Sequence, residues 1–392
     1  MISVDAALAR LFALVSPLGI EEVALTDALG RTLGRPVAAR RDQPPFAASA
    51  MDGYAVPDDD PAPGATWTVA GESAAGHGHG APLAPGTAIR IFTGAPVPPG
   101  TARVVIQEDT ERNDDTVTLT GTLSDNRNIR AAGVDFRAGD TLEAPRVLAP
   151  ADLALLAAMN VARVPVARRP VVALIATGDE LVTPGDDPAP DQIVASNSYG
   201  LHGLLRAAGA EPRLLPIARD DAASLRTAFS LAAGADLIVT IGGASVGDHD
   251  LVGSVAADLG MEQSFWKVAM RPGKPLMAGR IDGVPMIGLP GNPVSAMVCG
   301  EVFLVPVIRA MLGHRPGRAP RRTARLAAPL AVNGPREHYL RARSGPDGVV
   351  AFDKQDSSLL SVLSQADCLI VQPPNDTARD IGAEVEVVDL RT

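Results

Sequence analysis

Apolar and polar positions follow different periods in different parts of the chain. Between residues 41 and 140, short apolar segments such as TWTVAG, TAIRIFTG, RVVIQE and TVTLTG are separated by Gly/Pro turns. Short segments of this kind are typical of β-strands, so the region predicts a small β-rich domain. Residues 1–40, with ALARLFALV and IEEVALTDALGRTL, have a helical pattern. Residues 141–168 predict a helix, ADLALLAAMN, and a short strand, VARVPV.

From residue 169 onwards, apolar runs alternate with amphipathic helix patterns. VVALIATG and DLIVTIGG resemble buried strands ending in glycine, and SYGLHGLLRAAG and DAASLRTAFSLAAG resemble helices. Such alternation is typical of βαβ units, whose parallel sheets are covered on both faces. Residues 169–317 therefore predict a three-layer α/β/α domain with a parallel-rich sheet. The breaker-rich segment GHRPGRAPRR then precedes a predicted C-terminal β domain, residues 318–392.

The composition limits the kinds of partner and the compartment. The net charge of −10 argues against nucleic acid or a membrane surface as partner, because both attract a basic face. The two cysteines, Cys299 and Cys368, lie in apolar runs, which favours buried thiols in a reducing compartment. The apolar run Val294 to Leu312 contains Glu301 and Arg309, which favours a buried helix over a membrane span. We therefore expect a cytoplasmic protein.

Two predicted strands end in glycine followed by acidic residues. ATGDEL places Glu180 just past the first strand, and GGASVGDHD places Gly242, Gly243, Ser245 and Asp250 past the second. Glycine lets backbone N–H groups approach a phosphate closely, and adjacent carboxylates are suited to Mg²⁺. Ligands of parallel sheets bind beyond the carboxyl ends of the strands. Ordinary turns without a ligand are the alternative interpretation. Two acidic, glycine-containing strand ends in one sheet make that alternative less favoured.

A basic segment, FWKVAMRPGKP, supplies the complementary charge. Lys267, Arg271 and Lys274 lie within eight residues, around a turn that Pro and Gly impose. Lysine and arginine side chains suit phosphate or another tetrahedral oxyanion. In the following GLPGNPVSA, Pro293 is placed to open a helix whose N-terminus favours an anion. The alternative for the basic segment is a solvated turn. The alternative for GLPGNPVSA is a helix start that binds no ligand.

The β-rich region has its own candidates, each of which is individually more typical of a turn. Asp52 lies in the apolar stretch SAMDGYAV, Thr93 lies in a Pro/Gly loop, and Asp135 follows NIRAAGV. His77 and His79 in GHGHG lack a third ligand nearby, so a surface loop is favoured over a metal site. The sequence contains no nucleophile elbow, strict dinucleotide fingerprint or P-loop signature.

Six of these segments together resemble one family. SAMDGYAV, IFTGAPVPPG, ATGDEL, GGASVGDHD, FWKVAMRPGKP and GLPGNPVSA occur in the order found in molybdopterin molybdenumtransferases, the MoeA family, which is similar to the gephyrin E domain. The resemblance implies insertion of molybdenum from molybdate into adenylylated molybdopterin, with Mg²⁺ as cofactor and release of AMP. It also implies that residues 1–40 and 141–168 form one discontinuous elongated domain, with the β-rich domain, residues 41–140, inserted.

The resemblance also implies partners and alternatives. Members of the family are homodimers whose site lies between the α/β domain of one subunit and the β-rich domain of the other. Contact with the pterin adenylyltransferase and with acceptor molybdoenzymes is expected. An adenylyltransferase-like activity remains an alternative, because the α/β domain alone is similar to those enzymes. A non-catalytic pterin-binding scaffold is the other alternative.

Site roles follow from the family motifs, including GPREHYLR and QDSS near the C-terminus. The metal is assigned to Glu180 and Asp250. The catalytic set is Asp52, Thr93, Asp135, Glu180, Asp220 and Asp250. The substrate-binding set is Gly242, Gly243, Ser245, Lys267, Arg271, Lys274, Pro290, Pro293, Arg341 and Ser357.

Three positions depart from the family pattern. Val134 replaces a residue that is usually acidic, and Ala195 precedes Ser196 where an acidic residue is common. Arg271 stands where many members have lysine, which keeps the charge but presents a planar, bidentate donor. The choice between molybdate and tungstate stays open.

Overall fold

A computed structural model describes residues 1–243 and 251–390 of the chain. The chain divides into two compact units. The larger unit comprises Met1–Glu21 and Val166–Thr392, and the smaller unit comprises Glu22–Pro165. The finer division into four domains, with boundaries near residues 40, 140, 168 and 317, stays a prediction.

The described part of the chain contains eight α-helices, seven in the larger unit and α2 in the smaller. A π-helical turn, Gly300–Leu304, joins α6 to α7, and short 3₁₀ turns occur at Leu25–Asp27 and Gln107–Asp109. The helices are α1 Val4–Leu14, α2 Pro150–Ala158, α3 Asn197–Ala207, α4 Ala222–Leu231, α5 Leu251–Asp258, α6 Pro293–Cys299, α7 Val305–Met311 and α8 Leu360–Gln365.

The strands of the first half of the chain are mostly short and belong to the smaller unit, except that the first and the last of them extend across its boundaries. They are β1 Ile20–Ala24, β2 Thr32–Leu33, β3 Val37–Ala38, β4 Ala48–Ser49, β5 Gly53–Val56, β6 Thr66–Ser73, β7 Thr87–Ile91, β8 Arg103–Ile106, β9 Thr110–Asn113, β10 Thr116–Leu119, β11 Ile129–Arg130, β12 Thr141–Leu142, β13 Arg146–Val147 and β14 Arg163–Ala167.

The strands of the second half belong to the larger unit. They are β15 Val171–Ala176, β16 Leu181–Val182, β17 Ile193–Val194, β18 Glu211–Leu214, β19 Leu237–Ile241, β20 Glu262–Trp266, β21 Met270–Arg271, β22 Met277–Ile281, β23 Val284–Leu289, β24 Arg322–Arg325, β25 Glu337–Gly345, β26 Gly348–Ala351, β27 Cys368–Gln372 and β28 Glu384–Asp389.

The larger unit is built on a six-stranded sheet in the order β18-β15-β19-β23-β22-β20. The first four strands are parallel, and β22 and β20 extend the sheet in antiparallel fashion. Alternate residues of β15 point to opposite faces, as a strand requires. Val172 and Leu174 enter a core with α1, α3, α6 and α7, whereas Ala173 and Ile175 enter a core with α4 and α5. The predicted three-layer α/β/α architecture is confirmed.

The long apolar run after residue 292 is a core element. The helical segment Pro293–Met311 is long and apolar enough to cross a membrane, but 78% of its most apolar window is buried inside the fold. The prediction of a buried helix is therefore confirmed. The two cysteines, Cys299 and Cys368, are also buried and free, as predicted, and burial raises the pKa of both thiols.

A second sheet, β21-β25-β27-β28-β24 with β26 beside β25, forms the C-terminal part of the larger unit. Its first strand, β21, comes from the basic segment rather than from the C-terminal region. The strand pairs in parallel with β25, with Met270 opposite Glu337 and Arg271 opposite His338. The basic segment is thereby hydrogen-bonded to the strand that carries Arg341.

The smaller unit contains the predicted β-rich domain. Its main sheet has the order β8-β5-β7-β6-β10-β9, with apolar clusters that include Trp67 and Ile89. Strands from the two flanks of this region pair with each other: β3 with β12 and β2 with β13. These pairings agree with the expectation that the two flanking segments lie together.

One secondary-structure prediction is wrong. The stretch IEEVALTDALGRTL was expected to be helical, but it forms β1, a 3₁₀ turn and β2. Both strands lie in a four-stranded sheet, β1-β14-β2-β13. Gly30, with φ of 70°, interrupts the segment, and pairing with distant strands outweighs its local helical preference. Within residues 1–40, only α1 is an α-helix, and it packs into the core of the larger unit.

Glu337, at the start of β25, is the centre of a partly buried ionic network. Its Oε1 atom accepts hydrogen bonds from Arg318 at 3.0 Å, Arg321 at 2.9 Å and the Tyr339 hydroxyl at 2.6 Å. Arg318 also pairs with Asp5 of α1. The network therefore connects the N-terminal helix, the residue 313–321 segment and β25.

We expect Glu337→Gln to destabilise the larger unit by about 2 kcal/mol, because two arginines lose their shared carboxylate in a partly buried setting. Glu386→Gln is the matched control, since Glu386 pairs with Arg321 while its side chain stays 60% exposed. The control should cost less than about 1 kcal/mol. Urea unfolding measures the free energy of unfolding of both variants. Equal decreases in the two variants would show that Glu337 does not anchor the network.

Candidate active site

Three neighbouring parallel strands end at one wall of a large cavity in the larger unit. Thr177 and Gly178 follow β15, Gly242 and Gly243 follow β19, and Pro290 follows β23. The cavity has a volume of about 680 Å³, and the beginnings of α3 and α6 contribute to its lining. Its position agrees with the rule that ligands bind beyond the carboxyl ends of parallel strands.

The cavity brings together six residues that the sequence assigned to the site. They come from four different loops, and they include acidic, glycine and proline positions. The six are Glu180, Asp220, Gly242, Gly243, Pro290 and Pro293. Two further assigned residues, Ser245 and Asp250, lie outside the described residues.

The glycine pair at the end of β19 leaves no room for side chains. Gly242 has φ of 95° and Gly243 has φ of 65°, in the left-handed region that favours glycine. A Cβ on Gly242 would lie 2.9 Å from the Thr177 carbonyl oxygen, and a Cβ on Gly243 would lie 2.2 Å from Val252. The turn therefore keeps its backbone open to the cavity.

Thr177, also on the cavity wall, has an unsatisfied hydroxyl. Its Oγ1 atom is buried and has no hydrogen-bond partner among the described residues. Buried polar groups are normally paired, so this hydroxyl is an exception among the described residues. Sequence reasoning did not assign Thr177, because only the fold shows that its hydroxyl lacks a partner.

The acidic loop after β15 is ordered by its own hydrogen bonds. The Asp179 carboxylate accepts from the Asp220 backbone N–H at 3.1 Å, and the Arg219 guanidinium donates to the Asp179 carbonyl oxygen at 2.9 Å. The Glu180 carboxylate folds back over Gly178. Glu180 and Asp220 line the cavity, and neither carboxylate has a hydrogen-bond partner among the described residues. Both are therefore available to a ligand.

The basic segment approaches the cavity through its proline turn. Pro275, directly after Lys274, lines the cavity, and Lys274 itself is exposed. A Cβ on Gly273 would lie 2.5 Å from the Cys299 sulfur, so the turn packs tightly against α6. Lys267 has φ of 69°, and its Nζ atom lies 3.7 Å from the centre of the Trp266 ring.

Arg341 is buried, with 1% of its surface exposed, and its guanidinium is held in place. Nε donates to Gln355 Oε1 at 3.0 Å, and Nη1 donates to the Asp356 carbonyl oxygen at 2.7 Å. The Gln355 amide donates in turn to the carbonyl oxygens of Arg341 and Phe352. Burial lowers the pKa of Arg341.

The segment after Gln355 connects Arg341 to the cavity. The Ser357 carbonyl oxygen accepts from the Val294 N–H at 3.0 Å, at the start of α6, and Ser358 lines the cavity. Arg341 and Ser357, both assigned from the sequence, therefore lie next to the same rim. Sequence reasoning missed Gln355, although the QDSS segment pointed to its neighbourhood.

The smaller unit brings two of its three assigned residues together. The Asp52 carboxylate accepts from the Thr93 backbone N–H at 2.7 Å and from the Thr93 hydroxyl at 2.8 Å. These two hydrogen bonds stabilise the charged form and lower the pKa of Asp52. Asp135 is exposed, on a segment that pairs with the Gln43 backbone. Val134 beside it is 64% exposed.

Family models cover nearly the whole chain in three consecutive matches. Residues 2–160 match "MoeA N-terminal region (domain I and II)", residues 173–310 match "Probable molybdopterin binding domain", and residues 323–390 match "MoeA C-terminal region (domain IV)". The second match contains the cavity's strand ends.

Relatives and solved structures agree with these matches. Molybdopterin molybdenumtransferase 2 of Mycobacterium tuberculosis is 39% identical over 387 residues, covering 94% of each chain. Molybdopterin molybdenumtransferase of Nostoc sp. is 38% identical, covering 94% of this chain and 88% of the relative. The crystal structure of the molybdopterin biosynthesis MoeA protein from Pyrococcus horikoshii is 31% identical, with a TM-score of 0.86 and full coverage of both chains. The chain belongs to the MoeA family.

We expect Thr93→Ala to raise the pKa of Asp52, because the carboxylate loses its hydroxyl donor and keeps only the backbone N–H. Thr93→Ser, which retains the hydroxyl, is the matched control and should leave the pKa close to that of the wild type. Carbon-13 NMR titration of the Asp52 carboxyl, assigned with Asp52→Asn, measures both. An unchanged pKa in the alanine variant would mean that the side-chain hydrogen bond does not form in solution.

Proposed function

We propose that this chain inserts molybdenum from molybdate into adenylylated molybdopterin and releases AMP, as a molybdopterin molybdenumtransferase in molybdenum cofactor biosynthesis. The observation that carries the proposal is the cavity at three parallel strand ends, which is lined by the carboxylates Glu180 and Asp220 and by Pro275, directly after Lys274 of the basic segment. The relatives that align with 94% of this chain are named molybdopterin molybdenumtransferases, which supports the same activity.

The acidic side of the cavity fits Mg²⁺ held jointly with the substrate. Mg²⁺ is usually bound by one or two carboxylates together with substrate phosphates. Glu180 and Asp220 offer two carboxylates without a hydrogen-bond partner among the described residues. Residues 1–243 and 251–390 contain no group of three or more metal-binding side chains, so the substrate would supply the remaining ligands of the ion. Glu180 would hold the ion, with Asp250 as the second assigned ligand. When bound, Mg²⁺ neutralises charge that develops on the pyrophosphate link during its cleavage.

The basic groups whose neighbours Pro275 and Ser358 line the cavity suit molybdate as substrate. Molybdate is a tetrahedral dianion, so it needs cationic, hydroxyl and backbone N–H donors. Lys274 at the proline turn, Arg341 and Ser357 beside α6 provide these groups, with Lys267 and Arg271 in the same segment. Arg341 is already oriented by Gln355, so little side-chain ordering is needed when the anion binds.

The reaction needs no nucleophile from the protein. The two dithiolene thiols of the pterin form two bonds to molybdenum, and one oxide ligand of molybdate leaves as water with the two thiol protons. Water adds to a phosphorus atom of the pyrophosphate link, and the phosphorus–oxygen bond to the other phosphate breaks as AMP leaves. The residues of this chain therefore bind, orient and neutralise charge. This division of roles agrees with the lack of a nucleophile motif in the sequence.

We further propose a cytoplasmic homodimer in which Asp52, Thr93 and Asp135 act on substrate bound by the partner subunit. The family resemblance supports this arrangement. The Thr93 hydrogen bonds favour a charged Asp52 carboxylate at neutral pH, which suits a role in orienting a donor group. The free buried thiols of Cys299 and Cys368 are consistent with a reducing compartment.

Two other functions are less well supported. An adenylyltransferase-like activity would need only the α/β domain, whereas the family models match the regions on both sides of it as well. A non-catalytic scaffold would need neither the charged residues Asp52, Glu180 and Lys274 nor an open cavity, and this chain has both.

The direct test incubates the purified protein with adenylylated molybdopterin, Mg²⁺ and molybdate. We expect AMP release that depends on molybdate, together with formation of cofactor that activates an apo-molybdoenzyme. AMP release that is independent of molybdate, or no release at all, would contradict the proposal. Synthesis of adenylylated molybdopterin from ATP would favour the adenylyltransferase alternative.

We expect Glu180→Gln to lower turnover more than tenfold, a rise of more than about 1.4 kcal/mol in the barrier, because the cavity loses a charged oxygen ligand. Asp187→Asn is the matched control: Asp187 lies seven residues away in the same loop region, is exposed and does not line the cavity. Turnover of the control should stay within about twofold. Near-normal turnover of Glu180→Gln would remove Glu180 from the metal site.

We expect Arg341→Ala to raise the KM for molybdate at least tenfold while changing the KM for adenylylated molybdopterin much less, because it removes a donor next to the proposed oxyanion site. Arg343→Ala is the matched control on the same strand, since Arg343 is exposed and contacts Gln365 and Phe352 instead. Steady-state AMP release measures both constants. Equal changes in the two constants would contradict the placement of Arg341.

A further inference from the structure

Arg90 is a half-buried cation near the end of β7, in the part of the smaller unit that carries Asp52. It lies opposite Tyr54 in the antiparallel pairing of β5 with β7, so the two side chains share one face of the sheet. Its guanidinium carbon lies 5.1 Å from the centre of the Tyr54 ring and 4.8 Å from the centre of the Phe92 ring. Aromatic faces attract a cation at these distances, so the two rings restrain the guanidinium.

The two terminal nitrogens of Arg90 bind two further strand ends. Nη1 donates to the Gly53 carbonyl oxygen at 3.1 Å, and Nη2 donates to Gln107 Oε1 at 2.6 Å. Gly53 begins β5, and Gln107 directly follows β8. Because β8, β5 and β7 are adjacent in the sheet, one planar guanidinium connects all three strands at the end where Asp52 lies.

Asp52 is held by the same strand ends. The Gln107 backbone N–H donates to the Asp52 carbonyl oxygen at 3.0 Å, and the next carbonyl oxygen along the chain, that of Gly53, is the acceptor for Arg90. The Asp52 carboxylate accepts its two hydrogen bonds from Thr93, three residues after Arg90. Both the main chain and the side chain of Asp52 therefore depend on the strands that Arg90 connects.

The charge of Arg90 also acts on the carboxylate. The pKa of Asp52 is lowered first by the hydrogen bonds from Thr93, and the positive charge of Arg90 lowers it as well. The hydrogen bonds of Arg90 go to protein oxygens, and two aromatic rings lie against its guanidinium. A side chain in these surroundings is suited to act through Asp52 rather than to bind a ligand itself.

We propose that Arg90 is a positioning residue for Asp52: it fixes the backbone of residues 52–53 so that the carboxylate meets Thr93 and points in one direction. Charged groups contribute most to a reaction when they are oriented before the substrate binds. This inference rests on the proposed function, because it takes Asp52 to act on the substrate.

The backbone amide of Thr93 reports on the position of Asp52 without any activity, since its N–H donates to the carboxylate. Arg90→Met keeps an apolar side chain over the rings but removes the charge and both hydrogen bonds. We expect it to move the Thr93 amide proton signal of the full-length protein upfield, because this charge-assisted hydrogen bond weakens. Arg90→Lys, which keeps the charge and can reach only one of the two oxygens, should give an intermediate shift.

The same variants are compared in steady-state AMP release. We expect Arg90→Met to lower kcat about tenfold and to change the KM for molybdate less than about twofold, since a displaced carboxylate weakens the transition state more than the binding of molybdate. Arg112→Gln is the matched control: Arg112 is an exposed arginine of β9 that donates to the Asp114 carbonyl oxygen. The control should leave both the Thr93 signal and kcat unchanged.

Gln107→Ala tests the same connection from the other strand and does not depend on the folding of Arg90→Met. It removes the acceptor of Nη2 while keeping the backbone N–H that binds Asp52. We expect Gln107→Ala to move the Thr93 signal in the same direction as Arg90→Met. If both residues act as one unit, the double variant should have a kcat no lower than that of the slower single variant. Multiplied losses in the double variant would contradict the shared role.

Three other outcomes overturn the proposal. The first is a Thr93 signal that stays in place in both Arg90→Met and Gln107→Ala. The second is a shifted signal with unchanged kcat, and the third is an Arg90→Lys variant that is no better than Arg90→Met. If the wild type is active and the variants match the Arg112→Gln control, only this inference fails. If the wild type releases no AMP in response to molybdate, the proposed function fails, and this inference fails with it.

Discussion

The parallel register of β15, β19 and β23 is the constraint on which the rest of the site depends. Ile241 lies opposite both Ala176 and Leu289, so the residues that follow the three strands emerge side by side. Each of these turns then meets the same space, and glycine at two of them keeps the backbone accessible. The acidic loop, the basic turn and the start of α6 acquire a common target only because the three strands end at the same edge.

The second half of the site depends on how the C-terminal sheet is attached. β21 belongs in sequence to the α/β part, but it is a strand of the C-terminal sheet, and it aligns the basic segment with β25. A buried guanidinium is costly unless its donors are hydrogen-bonded, and Gln355 and the Asp356 carbonyl oxygen each accept one hydrogen bond from Arg341. The same hydrogen bonds fix the direction of the charge before any ligand arrives, which is the property that an oxyanion site requires.

The sequence predicted the parts of this structure that have local signals. Buried strands ending in glycine, Pro293 opening a helix and the basic turn all have short-range patterns, and the structure confirms the α/β/α layers that they imply. The strand β1 was mistaken for a helix because its partners lie more than a hundred residues away. The same reason hid Gln355, because its hydrogen bonds with Arg341 arise only when β25 packs beside the loop before α8. The residue 244–250 segment, with the assigned Ser245 and Asp250, lies outside the described residues.

The scarcity of aromatic residues has a practical consequence. The chain has two tryptophans, and each unit contains one of them. Trp67 is 3% exposed in the core of the smaller unit, whereas Trp266 is 37% exposed beneath the Lys267 ammonium. Their fluorescence should therefore differ in wavelength and in sensitivity to quenchers. Emission from Trp266 reports on the surroundings of Lys267 in the basic segment. Emission from Trp67 reports only on the integrity of the smaller unit. The native chain therefore contains an internal reference for fluorescence studies.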